Sequence, residues 1–299
     1  MKISLITTVL NEEKTIKSLL QSIEVQTKKP DEVVIVDAGS TDNTVQLIKS
    51  FQKQSRLKIR LFHKKGNRAI GRNFAITKAV GQGIAVTDAG CVLDKNWFKR
   101  ITEPLVLKKT DVVAGFYHMN TDTLFTQCSA PFVGITSIDK REFIPSSRSL
   151  AFTKPVWTKV GGYPEHLDFA EDLIFAQKLK NNMVFEPRAI VNWTPPQNLL
   201  EFFTAIRHYT LGNIQARYWP HLHKNLLVAL RYLLLPIMII FMPIYFLYTT
   251  IKFRRHLHHP LAPNLLFVLQ LTADIAVITA LLQGAYDSTF PARLRPARS

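Results

Sequence analysis

Six consecutive residues, Glu32 to Asp37 (EVVIVD), set four β-branched side chains in a row with no polar face between them. A run of this kind suits a strand covered on both sides, as in the middle of a parallel sheet flanked by helices. Its neighbours repeat the pattern. Ile3 to Val9, Leu57 to Phe62 and Ile84 to Thr87 read as further apolar strands. Between them, Ile16, Leu19, Leu20 and Ile23, then Val45, Leu47, Ile48 and Phe51, and then the stretch Ala69 to Val80 carry helical spacing. Asn11-Glu12-Glu13 is expected to cap the first helix, and Ala38 to Asn43 to make a turn and cap the second. Strands alternating with helices in this way argue for right-handed βαβ units, an α/β fold and a mainly parallel sheet.

In such a sheet, ligands bind outside the carboxyl ends of the strands. The fourth strand delivers Asp88 to that edge, followed by the small residues Ala89 and Gly90. Asp-Ala-Gly is also ordinary turn chemistry. Glu12 and Asp37 arrive at strand ends in the same way, and three carboxylates around one edge could hold a ribose, a base or a divalent metal. Asp42 reads more simply as a helix-start residue favoured by the dipole. Lys64, Lys65, Arg68 and Arg72 cluster near the start of the third helix, where anions are attracted and arginine adds bidentate phosphate contacts. No Gly-x-Gly-x-x-Gly follows the first strand and no P-loop occurs anywhere, which excludes an ordinary dinucleotide fold and a P-loop NTPase.

Beyond Asp88 the pattern becomes α+β. Asn96 to Leu107 is expected as a helix, Asp111 to Met119 and Ser147 to Thr153 as strands, and Pro155 to Val160 as a short helix before the turn Gly161-Gly162-Tyr163. Glu171 and Asp172 open another helix. Adjacent carboxylates there point in different directions, so one can cap the helix while the other faces a cleft as a general base. Met183 to Val191 closes as a strand, and Asn198 to Tyr218 is a helix carrying Arg207 and Arg217, both candidates for diphosphate contacts.

The last quarter differs. Tyr232 to Ile251 contains no charged residue, and twenty residues at about 1.5 Å each match a bilayer core. A second apolar run, Leu265 to Tyr286, is interrupted by Gln270 and Asp274. An Asp at mid-bilayer costs roughly 2.5–3.5 kcal/mol, so Asp274 is expected to face protein. Both the connecting segment KFRRHLHHP and the C-terminus are basic, which sets one of them against the positive-inside rule if both runs span. Pro236 and Pro243 could instead kink the first run so that the pair enters and returns.

The net charge of +16 implies anionic partners, phosphates or an acidic membrane surface. Ten Lys/Arg against three Asp/Glu lie from Leu199 onward, so the basicity is spread over the whole chain. The basic residues are not interleaved with exposed aromatics in a recognisable module, and a nucleic-acid binder is excluded. Two cysteines, Cys91 and Cys128, provide no framework for disulfides or zinc. The opening MKISLITTVLNEEK reads as a first strand, not a signal peptide, which would leave the first domain on the side where it is made.

The motifs ITTVLNEE, IVDAGSTDNT, GRNFAI, VTDAG, SLAFTK leading into GGYPE, and AED before a helix, in this order, resemble the family 2 glycosyltransferases, inverting enzymes of the GT-A fold. The resemblance runs from Ile3 to about Tyr218. It implies a GT-A, Rossmann-like nucleotide-sugar-binding domain over residues 1–218, followed by membrane-associated helices over 219–299, at about 226–251 and 265–286. It also implies that Thr8, Leu10, Glu12 and Asp37 line the nucleotide pocket, with Arg68 or Arg72 near the base or phosphates. Asp88, with Ala89 and Gly90, would sit at the sugar-diphosphate in the family's metal motif. Asp172, beside Glu171, would deprotonate the acceptor, and Arg207 and Arg217 would steady the departing diphosphate. The family usually writes Asp-x-Asp where this chain has Asp88-Ala89-Gly90, so Mg²⁺ or Mn²⁺ would rest on Asp88, the diphosphate and water. Many members also carry an Asp where this chain has Ala38. The partners implied are a nucleotide-sugar donor, a lipid-linked or membrane-associated glycan acceptor of the cell envelope, and anionic lipids. The location implied is the inner membrane, with the catalytic domain cytoplasmic. Two alternatives are a polyprenyl-phosphate glycosyl synthase and a non-catalytic nucleotide-sugar-binding subunit.

Overall fold

The computed structural model describes residues 1–134, 145–179, 183–232, 242–254 and 259–289. They fall into two compact units, one built from residues 1–119 and 145–194, the other from 120–134 and 195–289.

The first unit is an eight-stranded sheet. Its strands in chain order are β1 (Ile3–Val9), β2 (Glu32–Asp37), β3 (Ile59–His63), β4 (Gly83–Val86), β5 (Cys91–Leu93), β6 (Val112–Met119), β7 (Leu150–Thr153) and β8 (Met183–Trp193). In space they run β3-β2-β1-β4-β7-β6-β8-β5. The first four are parallel, β7 is antiparallel to both β4 and β6, β8 is parallel to β6, and β5 is antiparallel to β8. The expected mainly parallel α/β sheet is present. The short strand β5 carried no signal in the sequence, because three residues are too few to show an alternation.

Every residue of β2 is buried, as its composition requires. Val33 and Ile35 point into one apolar layer, and Val34 and Val36 into the other. The first layer is closed by α1 (Ile16–Glu24) and by α4 (Trp97–Val106), which inserts Trp97, Phe98 and Ile101. The second layer is closed by α3 (Arg68–Lys78) and by Tyr163, Phe175 and Leu179. α2 (Thr44–Gln54) packs beside α1. The capping expectation for Asn11-Glu12-Glu13 is corrected: Thr15 is the N-cap of α1, and no side chain caps it. The backbone N–H groups of Glu12 and Glu13 donate instead to Thr44 Oγ1 and Asp42 Oδ2, and Asn11 Oδ1 accepts from the Thr41 N–H. A left-handed Asn11 (φ 55°) turns the chain away from the helix to make these bonds. Asp42 also accepts from the Thr44 N–H and hydroxyl at the start of α2, the helix-start role expected of it.

The second unit is helical: α5 (Leu124–Val133), α8 (Leu199–Gln215), α9 (Trp219–Tyr232), α10 (Met242–Lys252) and α11 (Ala262–Thr289). The helix α5 was not expected; it starts with a Thr123–Thr126 capping box and rests on α11. α8, which was expected to close the first domain, belongs with this unit. The central part of the first apolar run, with Pro236, lies outside the described residues. Pro243 lies in α10. Among the described residues, one helix is long and apolar enough to cross a membrane, Ala262–Ser288, with a mean hydropathy of 2.2. It is the second run, the one interrupted by Asp274.

Asp274 is 1 % exposed and faces protein, as expected. Its carboxylate accepts from the hydroxyls of Tyr232 (2.7 Å) and Tyr245 (2.5 Å) and from the Gln270 amide (2.9 Å), and Gln270 in turn accepts from Lys252. Asp274→Ala would strand these donors inside an apolar bundle. A loss of roughly 2 kcal/mol corresponds to a fall of about 4–8 °C in melting temperature. A calorimetric scan of the purified variant in detergent measures it, and an unchanged midpoint would show that the network does not hold the bundle together.

Candidate active site

The register of the parallel strands brings Val9, Asp37 and His63 level with one another at the carboxyl ends of β1, β2 and β3. Ile6 pairs with Val86, so Thr8 and Asp88 emerge at the same edge where the strand order turns from β1 to β4. This is the crevice position of an open α/β sheet.

Asp37 is buried and accepts from the N–H groups of Gly39 and Ser40 and from His63 Nδ1 (3.0 Å). Burial works against its charge, but these bonds outweigh it and hold its carboxyl below the usual range. The ring of His63, 58 % exposed, is the part of this pair that solvent reaches. Thr8 and Glu12 are half-buried and Leu10 is exposed. Burial raises the Glu12 carboxyl above its ordinary value. A hydrogen bond from Thr15 and the positive field of Arg68 oppose this, and the fields of Asp88 and Asp42 add to it. Glu12, Arg68 and Asp88 therefore share one electrostatic neighbourhood.

The helix α3 supplies the centre of the site. Gly71 lets it lie against β1, since a Cβ there would come within 2.8 Å of the Thr8 methyl. Arg72, the next residue, is 2 % exposed, and its guanidinium spans two carboxylates, Glu171 at 2.6 Å and Asp88 at 2.8 Å. Tyr163 lies against the same guanidinium at 5.3 Å. Arg72, expected near the donor's base or phosphates, here faces carboxylates of the protein. Burial alone would lower its pKa, but Asp88 and Glu171 raise it, so the guanidinium stays charged. The two acids it joins are driven apart. Burial penalises the charge of Asp88, yet Arg72, Arg148 and Arg68 bring its pKa down overall. Burial is stronger for Glu171, and the neighbouring Asp172 adds to it, so its carboxyl is held up despite Arg72.

After the short helix α6 (Lys154–Lys159), the helix α7 (Glu171–Leu179) is fixed by the loop before it. Asn73, beside Arg72, receives hydrogen bonds from the Trp157 indole and the Tyr163 N–H and donates to the Tyr163 carbonyl and to Glu165. Gly162 (φ +68°) turns beneath it. Asn67 caps α3 and donates to the carbonyls of Glu165 and Leu167. Ala170 then takes a left-handed conformation (φ 62°), a strained position for a residue with a Cβ, immediately before Glu171. Glu171 is thereby turned inward onto Arg72, while Asp172 stays half-buried. Asp172 accepts from the Leu173 N–H at 2.8 Å and from the Ser146 hydroxyl at 3.4 Å.

The chain resembles known proteins in sequence over its first half and in fold over most of its length. A family model described as Glycosyl transferase family 2 matches residues 4–144. The chain carries a glycosyl transferase family 2 domain. The glycosyltransferase GlyG of Streptococcus pneumoniae is 30 % identical over 118 residues, 39 % of each chain. The O-antigen chain rhamnosyltransferase RfbN of Salmonella typhimurium is 24 % identical over 70 % of this chain and 73 % of its own. The chain thus spans about two fifths of the first of these relatives and about three quarters of the second. The structure of the Pyrobaculum calidifontis mannosyltransferase PcManGT, in complex with GDP-Man and Mn²⁺, superposes with a TM-score of 0.56 at 18 % identity, covering 97 % of this chain and 81 % of that one. The fold is GT-A.

Within the glycosyl transferase family 2 domain, Asp88 is one-third exposed, and Arg72 takes one of its oxygens. Ala89 is buried beside it, and a Cβ on Gly90 would meet nothing within 4 Å. No group of three or more metal-ligating side chains occurs among the described residues. A single carboxylate beside open space fits a hard cation such as Mg²⁺ or Mn²⁺, which keeps several waters and takes phosphate oxygens from a substrate. Arg68 is exposed at the first position of α3. Arg207 and Arg217 stand in the second unit. Arg207 donates to Gln283, and Arg217 is exposed just past the end of α8 with φ 49°.

Sequence reasoning missed Arg148. The antiparallel pairing of β7 with β4 ends at Val86 and Leu150, and Arg148, in the turn just before β7, comes near enough for its field to act on Asp88, just after β4. An arginine between two serines gave no signal without that pairing. Trp193 and Tyr117, which lie against Arg148, were missed for the same reason.

Proposed function

We propose that this chain is a membrane-anchored inverting glycosyltransferase that moves a sugar from a nucleotide-sugar donor to a hydroxyl of a lipid-linked or membrane-associated glycan. The observation that carries the reading is the guanidinium of Arg72, which ties Asp88 at the sheet edge to Glu171 at the helix start, leaving Asp172 beside it. The donor's nucleoside lies over Thr8, Leu10, Glu12 and the Asp37–His63 pair, with Arg68 beside the phosphates. Asp88 would hold Mg²⁺ or Mn²⁺, which when bound neutralises charge on the donor diphosphate. Asp172 takes the proton of the acceptor hydroxyl as its oxygen attacks the anomeric carbon from the face opposite the leaving group. Glu171, turned away from that position, holds the helix.

The likeness to a mannosyltransferase whose structure contains GDP-Man and Mn²⁺ supports a nucleotide-sugar donor and a cation. The apolar helix α11 supports an anchor in the inner membrane, with the catalytic domain in the cytoplasm and basic residues toward anionic lipid. Confining the acceptor to a plane replaces part of the binding energy a soluble acceptor would need.

The decisive experiment incubates purified protein in detergent and native lipid extract with UDP-, GDP- and dTDP-sugars, with and without Mn²⁺, and measures released nucleoside diphosphate. Release from one donor that is lost in Asp88→Ala is the expected result. Intact donor binding with no release under any acceptor fraction would favour a non-catalytic subunit. Gly90→Asp tests the cation's place. The added side chain enters open space, so the variant is expected to melt like the parent and to need several-fold less Mn²⁺ for half-maximal turnover, through a second carboxylate ligand. An unchanged metal requirement would remove this turn from the cation site.

A further inference from the structure

We propose that Arg148 is the cation that grips the donor's diphosphate and stays on it as it leaves, with Trp193 as its platform. The inference rests on the glycosyltransferase reading and adds to it a residue and a role. Arg148 precedes β7, and its side chain is half-buried. Its guanidinium lies 4.2 Å from the Trp193 ring centre and 5.3 Å from that of Tyr117, and the two rings meet edge to face at 6.2 Å. A place over an indole restrains the guanidinium, whose planar set of N–H groups is the kind that binds phosphate with two parallel bonds. One of these groups reaches Ser146 Oγ at 3.4 Å, and the same hydroxyl approaches Asp172 at 3.4 Å.

Arg148 therefore stands between the two acids on which the reaction depends. On one side is Asp88, just past the end of β4 as Arg148 is just before the paired β7, and lowered in pKa by the field of Arg148 after that of Arg72. On the other is Asp172, through Ser146. Charge balance gives it a task that Arg72 does not fill. Arg72 is enclosed by Asp88 and Glu171, and its guanidinium pairs with both. A diphosphate approaching Asp88 meets further negative charge from Glu12 and Asp172, and Arg148, whose field acts on Asp88 together with that of Arg68, adds positive charge where the diphosphate and its cation would lie. In the transfer step the acceptor oxygen bonds to the anomeric carbon and its proton passes to Asp172. The bond from the anomeric carbon to the β-phosphate oxygen breaks with its electron pair. The terminal phosphate gains a negative charge, and a fixed guanidinium at that oxygen lowers the barrier.

The test compares Arg148→Met, Arg148→Lys and Trp193→Leu with the parent. Calorimetry measures the binding of a nucleoside diphosphate and of the corresponding free nucleoside, and transfer is followed in parallel. Arg148→Met is expected to lose about 10- to 100-fold in diphosphate affinity, the worth of charge-assisted hydrogen bonds, with nucleoside affinity within about twofold of the parent. kcat is expected to fall further than the donor KM rises. Arg148→Lys, which keeps the charge without the planar fork, should lie between, and Trp193→Leu should move in the same direction as Arg148→Met. Equal losses for diphosphate and nucleoside, or unchanged diphosphate affinity, would overturn the proposal. If Arg148→Met does not fold, unchanged diphosphate affinity in Arg148→Lys would overturn it. A parent protein that binds no nucleoside diphosphate at all would instead bring down the glycosyltransferase reading itself.

Discussion

Asp172→Asn is expected to lower kcat for sugar transfer by about 10²–10⁴, the usual contribution of a positioned general base, with the donor KM little changed. Asparagine keeps the size of the side chain; its Oδ1 can accept from the Leu173 N–H as Asp172 does, and its Nδ2 can donate to the Ser146 hydroxyl oxygen, so the fold has no reason to move. What it lacks is a site for the acceptor's proton. Steady-state rates of nucleoside diphosphate release, with donor concentration varied at saturating acceptor, separate the two parameters. The acceptor class also depends on this number. A hydroxyl must be deprotonated as it attacks, whereas a phosphate acceptor is already ionised. Turnover within a few-fold of the parent would therefore remove the base role from Asp172 and move the assignment to a polyprenyl-phosphate glycosyl synthase. Glu171→Gln should behave differently, because Glu171 is turned onto Arg72 and away from solvent.

The second large effect is expected at Arg72. Removing one partner of a buried ion pair typically costs about 3–5 kcal/mol, because the other charge is left without compensation. Arg72→Met would leave Glu171 stranded at 4 % side-chain exposure and remove the nearest cation from Asp88. Stability should fall by that amount in urea unfolding, and transfer should be lost with it. The double variant Arg72→Met with Glu171→Gln separates the two consequences. Without the stranded charge, part of the stability should return. Transfer should not, because Asp88 and the start of α7 are no longer held together. Arg72→Lys should be intermediate, since an ammonium cannot span both carboxylates with a planar fork. A loss below about 1 kcal/mol in Arg72→Met would show that the bridge is worth no more than a surface pair and that something else fixes the helix.

Much of the first unit could be read before any coordinates. The unbroken apolar run of β2 required a strand covered twice, and the alternation around it required a parallel sheet. Asp88 had to come out at the carboxyl edge because strand polarity is set once the βαβ order is known. The motifs around Asp37, Asp88 and Asp172 named the family. What the sequence could not determine was which side chains use up one another. Arg72 and Arg148 look alike as isolated arginines. Helix–strand packing at Gly71 carries the first inward onto two acids, and the second, in the turn before β7, rests on an indole with its field on Asp88. Likewise, Glu171 and Asp172 are equivalent in a helix-start motif until the left-handed turn at Ala170 sends one to the core and leaves the other half-exposed. In the apolar tail, hydropathy identified an Asp that must be sheltered, and only packing showed that two tyrosines and a glutamine shelter it. Periodicity and composition report which face of an element must be buried. Pairings between residues far apart in the chain depend on register and helix approach, which are fixed only when the whole core closes.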